Sequence, residues 1–110
     1  MARLTIAQLR EIELNKLSEI TKDQDKARNM MNRYYRLCGM DERLLYLEND
    51  ETSHDKQSTK DLEAQRDKAW ERLNKDFNDY GMKLTYFGYL PTITNKEDTT
   101  TAINAYYYQR

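Results

Sequence analysis

The sequence predicts a mainly α-helical fold. Two long, coiled-coil-like helices form an antiparallel hairpin, and a small mixed tail follows, in which a short β-hairpin or an extended arm fits. Three observations carry this. Charged residues make up 34% of the 110-residue chain against 38% hydrophobic, the balance of long surface helices. Only 3 Gly and 1 Pro interrupt it. Two stretches carry apolar residues at the 3,4 spacing of a helical face.

The first stretch predicts a helix over 5–38. Thr5 with Gln8 three residues on is a capping-box pattern. Ile6, Leu9, Leu17 and Ile20 then share a face, with Ile12 and Leu14 beside it. The polar run 21–26 is read as an exposed part of one continuous helix. On that reading Leu17, Ile20, Gln24, Ala27, Met31, Tyr34 and Cys38 form a seam with Gln24 as its polar position. Gly39, able to adopt a left-handed conformation at little cost, is read as the residue that ends the helix. Residues 40–58 are read as a short apolar segment around Leu44–Leu47, either helical or extended, followed by a polar loop.

The second stretch predicts a helix over 59–80. Ser58 with Asp61 resembles another helix start, and Leu62, Ala69, Trp70, Leu73, Phe77 and Tyr80 line one face. Gly81 ends it. The tail, 82–110, is mixed. Residues 82–87 and 89–94 are rich in β-branched and aromatic residues around Gly88, and Pro91 makes the second piece an edge or irregular. Thr99 or Thr100 is placed to cap a short last helix reaching Tyr108. The length favours one domain over 1–110. A two-helix hairpin has a thin core, so either the tail or a second copy completes it.

Much chemistry is missing. Cys38 and His54 are the sole cysteine and histidine, so no C-x-x-C or H-E-x-x-H metal spacing exists. Weak carboxylate sites for Mg²⁺ at Asp23 and Asp25, or at Asp50, Glu51 and Asp55, are outweighed by the solvated-loop reading. A Cys38–His54 nucleophile pair is disfavoured, because Cys38 falls near a helix C-terminus whose dipole raises a thiol pKa. The three glycines are isolated, so no phosphate loop is present. The reading is therefore no enzyme, no cofactor and no metal. A lone cysteine gives no internal disulfide, and the N-terminus lacks a signal-peptide apolar core. With no apolar run long enough for a membrane span, a soluble, cytoplasmic protein is expected.

Tyrosine stands out, with 9 Tyr against 2 Phe and 1 Trp. A tyrosine combines large contact area with one polar tip, which suits interfaces and thin cores alike. Tyr34, Tyr35, Tyr86, Tyr89 and the run Tyr106, Tyr107 and Tyr108 are the candidate partner-binding residues, together with the acidic Asp50 and Glu51. Lys26, Arg28, Arg33 and Arg36 form a basic stretch around Tyr34 and Tyr35, the candidate nucleic-acid contact. A formal net charge of −1 argues against a general nucleic-acid binder.

In its small size, charge density, tyrosine richness and scarcity of Gly and Pro, the chain resembles small inhibitors carried by phages and mobile elements, anti-CRISPR proteins among them. That resemblance lies in composition and implies a protein that blocks a nucleic-acid enzyme. The first expectation is thus a non-catalytic protein-binding module, an inhibitor or regulator that occludes a partner's surface. Its acidic stretch 41–55 would face a basic groove. The alternatives are a helical nucleic-acid-associated protein using 26–36, and a self-associating structural component, for example a homodimer, using the seam.

Overall fold

A computed structural model describes residues 3–49, 56–88 and 90–103, with side chains described at 3–47, 59–88 and 90–103. The protein is mainly helical with a small antiparallel sheet. Its elements run α1 (Ile6–Thr21), α2 (Gln24–Asn49), α3 (Lys56–Asn78), β1 (Met82–Phe87) and β2 (Leu90–Asn95).

The capping box at the start of α1 is present. Gln8 N–H donates to Thr5 Oγ1 at 3.1 Å, and Thr5 N–H donates to Gln8 Oε1 at 2.8 Å. The helix is not continuous to Cys38, however. It ends at Lys22, which is left-handed (φ 58°, ψ 27°) and donates its N–H to Ser18 O. The hydroxyl of Thr21 bridges the Asp23 N–H and carbonyl. Asp23 Oδ1 then accepts the Lys26 N–H at 3.1 Å, an N-cap for α2. The polar run supplies the local hydrogen bonds that a break needs, and these outweigh helix propensity. Ile20 and Gln24, members of the predicted seam, are consequently exposed.

Gly39 does not end a helix either. It lies inside α2 with open space where a Cβ would stand. A mid-helix glycine costs about 1 kcal/mol. The turns beyond it offset this, because Asp41 and Leu44 are buried on the same stripe as Ala27, Met30, Met31, Tyr34 and Leu37. The segment 40–47, left open between helix and strand, is helix.

α2 and α3 run antiparallel, since Arg33 meets Asp76 while Asp41, later in α2, meets Arg66, earlier in α3. Leu73 and Phe77 enter the core from α3, with Ala69, Trp70 and Tyr80 partly buried against it. Gly81 (φ +77°) makes the turn into β1. β1 pairs with β2 from Met82 opposite Asn95 to Phe87 opposite Leu90. Asn74 Oδ1 accepts the Leu84 N–H at 2.8 Å, and Tyr34 OH donates to Pro91 O at 2.6 Å, so the hairpin is bonded to both long helices. After β2 the chain turns back, and Thr101 bridges to Thr94. The sheet side contributes Met82, Leu84, Ile93 and Ile103 to one core cluster with Leu17, Met30 and Phe77. Neither Thr99 nor Thr100 begins a helix: residues 99–103 are not helical, because Thr101 bridges to Thr94 and Ala102 N–H donates to Ile93 O, and the rest of the predicted last helix lies outside the described residues.

Among the named elements, α1 packs on α2 alone. Among the described residues no helix is long and apolar enough to cross a membrane.

Candidate interaction site

Three elements converge where the middle of α2, the first half of α3 and the end of β1 meet. α2 contributes Asp41, whose side chain is only 2% exposed. A buried carboxylate needs partners to replace its lost water. α3 supplies Arg66, with Nη1 2.6 Å from Asp41 Oδ1. β1 supplies Tyr86, whose OH donates to Asp41 Oδ2 at 2.8 Å. Arg66 also donates through Nε to Asp67 at 2.8 Å. Burial alone would lower the Arg66 pKa, but its bonds to Asp41 and Asp67 raise it, so the guanidinium stays charged. Burial and the bond to Asp41 both raise the Tyr86 pKa, so the phenol stays protonated and donating.

Beside this network lies a cleft of about 210 Å³, walled by Leu44, Leu45, Glu63, Arg66, Tyr86 and Gly88. Gly88 (φ +85°) turns the hairpin tip there. Next to it Phe87 is 54% exposed and Tyr86 38%. Tyr46, farther along α2, is 68% exposed. Both oxygens of the carboxylate are engaged, one by Arg66 and one by Tyr86. The arrangement presents aromatic edges, the side chains of Leu44 and Leu45, and a guanidinium.

A second groove, of about 310 Å³, runs between α1 and α2. There the Arg10 guanidinium lies 4.3 Å from the Tyr35 ring centroid, and Tyr35 OH donates to Glu13 Oε1 at 2.7 Å. Glu13 is 4% exposed. Burial first, then this bond to Glu13, raises the Tyr35 pKa.

The structure disperses the other sequence-predicted residues. Tyr34 is 4% exposed, a core ring tied to Pro91, and is withdrawn from any partner surface. Tyr35 is partly buried under Arg10. Of the basic stretch, Lys26 lies over the Tyr80 ring, its pKa raised by that contact. Arg33 bonds Asp76 of α3, while Arg28 faces the α1 groove and approaches Asp25 at 3.9 Å. Arg36 is exposed. Four cations of one helix thus point to four different surroundings. Asp50, Glu51, Tyr89, Tyr106, Tyr107 and Tyr108 lie outside the described residues, as do His54 and Asp55. Cys38 sits inside α2, not at a helix end. Burial, not a helix dipole, pushes its thiol up to about 11.

Sequence reasoning reached Tyr86 but missed Asp41, Arg66 and Phe87. Asp41 looked like one more acid in an acidic stretch. The legible signal was its place on the apolar stripe, seven residues after Tyr34 and three before Leu44.

No protein-family model, curated protein or solved structure matches the chain.

Proposed function

We propose that this is a non-catalytic protein-binding module, an inhibitor or regulator that occludes a surface of its partner. Its contact surface is the cleft where α2, α3 and the hairpin tip meet. The observation that carries the reading is the pair Tyr86 and Phe87, exposed beside a cleft of mixed lining, with Leu44, Leu45, Glu63 and Arg66 on its wall. Large aromatics and arginine next to a pocket are the residues that dominate binding energy at protein interfaces. Along the sequence, residues 41–67 hold nine acids and four Lys or Arg, in a chain whose total charge is −1, a balance that suits a basic partner. A basic surface of a nucleic-acid enzyme has that character. The narrower reading, a phage-borne or anti-CRISPR-like inhibitor, rests on composition alone.

The test is a tagged pull-down from bacterial lysate, with and without nuclease, run beside Phe87→Ala and Tyr46→Ala. Both side chains are exposed, so circular dichroism is expected to stay unchanged. One protein captured in both nuclease conditions, and lost with Phe87→Ala, supports the reading. A partner still captured equally by both variants refutes this surface. Recovery that vanishes with nuclease favours direct nucleic-acid binding and directs attention to Arg28 and Arg36.

A further inference from the structure

α1 is attached to the rest of the fold through one helix face and a two-residue connection, Lys22 and Asp23. Lys22 holds a left-handed conformation that is unfavourable for any residue with a Cβ. No Gly or Pro occurs before Gly39, so nothing covalent prevents residues 6–49 from forming one straight helix.

The buried residues are arranged for that straight helix as well as for the bent one. α1 buries Leu9, Glu13 and Leu17, and α2 buries Ala27, Met31 and Tyr34. With Ile20 and Gln24 between them, the positions from Glu13 to Tyr34 follow an alternating 4,3 spacing, a single stripe on an unbroken helix, with Leu9 one turn before it. In the bent form Ile20, a member of that stripe, is 41% exposed. The α1–α2 register adds the decisive point. Glu13 and Tyr35, which share a hydrogen bond, lie eleven residues either side of Gln24. Two straight copies crossed antiparallel on a twofold axis at Gln24 would remake that same contact between chains. The polar position of the stripe would then meet its own counterpart, a known device for fixing register.

We propose that a second copy of this chain occupies the α1-binding face of α2: the Lys22–Asp23 bend straightens, and α1 of each copy docks on α2 of the other. This is domain swapping, in which the contacts of the single chain are kept and only their connectivity changes. Straightening relieves the left-handed Lys22 and covers Ile20. It gives up the Asp23 N-cap on Lys26 and the Thr21–Asp23 turn. The swapped dimer would carry two hairpin-tip clefts, but the inference stands apart from what those clefts bind.

Two exposed hinge positions give opposite expectations. Lys22→Gly removes the penalty of the left-handed bend and favours the single chain. Asp23→Ala removes the cap that holds the bend and favours the dimer. Sedimentation equilibrium should find a wild-type species of twice the 13.3 kDa chain mass at high concentration. Its dissociation constant should rise roughly tenfold in Lys22→Gly and fall roughly tenfold in Asp23→Ala. Lys22→Ala, also a straightening change, serves if Asp23→Ala loses helicity. Pulsed electron resonance then separates swapping from side-by-side pairing. Spin labels replace the exposed Asn15 and Asn32 on a Cys38→Ala background, diluted with unlabelled chain so that only distances within one chain are read. The two sites are level in the bent form and about 26 Å apart on a straight helix. A dimer with the long distance supports the proposal. A short distance in the dimer, indifference to Lys22→Gly, or strictly monomeric wild-type and Asp23→Ala proteins would each overturn it.

Discussion

Replacing Asp41 by Ala tests whether one buried carboxylate ties α2 to both α3 and the hairpin. The substitution strips Arg66 and Tyr86 of their shared acceptor. Breaking a fully buried ion pair costs about 3–5 kcal/mol, because the surviving charge is stranded. Here only the carboxylate is deeply buried; the Arg66 side chain is 28% exposed and keeps Asp67 as a partner. Partial solvation therefore lowers the ionic part to about 1–2 kcal/mol, and the lost tyrosine hydrogen bond adds about 1 kcal/mol. The expected total is about 2–3 kcal/mol, which for a chain of this size lowers Tm by on the order of 10 °C. Asp41→Asn keeps one acceptor oxygen and should lose about half as much. Urea and thermal melts followed by circular dichroism measure both. The double variant with Arg66→Ala should be less destabilised than the sum of the single changes, since the second removal leaves nothing stranded. An Asp41→Ala protein within about 0.5 kcal/mol of wild type, the range of an ordinary surface change, would refute the network.

Tyr34→Phe leaves the Pro91 carbonyl without its 2.6 Å donor and should cost about 1–2 kcal/mol in urea denaturation, with helicity unchanged. Gly39→Ala should stabilise by about 0.5–1 kcal/mol, because the position is helical with open space for the methyl; destabilisation would contradict a helix running through it. Alkaline titration should unfold the protein in a defined direction. The Cys38 thiol rises from 9.0 to about 11 on folding, and Tyr35 and Tyr86 rise as well. The folded state therefore holds protons that the unfolded state gives up first. The Cys38 contribution, at most about 2–3 kcal/mol, is complete below pH 9 and is lost as pH climbs through 11, whereas the tyrosine contribution begins to fall only above pH 10. Urea midpoints measured across that window should fall, and fall less in Cys38→Ala.

The legible parts of the fold were those fixed by near neighbours. The Thr5–Gln8 capping box, Leu73 and Phe77 of the predicted apolar face, and the β-rich pieces around Gly88 appear where local spacing put them, while Tyr80 of that face lies past the end of α3 at Asn78. The helix start expected at Ser58 falls instead inside α3, which begins at Lys56. The boundaries misplaced at Lys22 and Gly39 share a cause. At Lys22 several weak side-chain hydrogen bonds outcompete good helix formers. At Gly39 a poor helix former is carried through by packing many residues away. Neither balance is visible to a rule that reads one residue type at a time. The Asp41 network is less legible still, since its partners lie 25 and 45 residues away. Only the antiparallel run of α2 and α3 and the fold-back of β1 bring them together.

This division bears on how the cleft should be probed. Arg66 and Tyr86 line it, yet both also bond Asp41, so changing either perturbs folding and surface together. Loss of a partner in such a variant would say little about contact. Phe87 and Tyr46 have no such double duty: each is more than half exposed and neither is part of the Asp41 network. Truncating an exposed ring changes stability by no more than about 0.5 kcal/mol, whereas an aromatic anchor at an interface is worth about 2 kcal/mol or more in binding. A loss of that size in Phe87→Ala, with the melting curve in place, can come only from the surface. The Asp41 variants supply the opposite pattern, in which stability and binding fall together. Measured side by side, the two classes separate what the cleft holds from what holds the cleft.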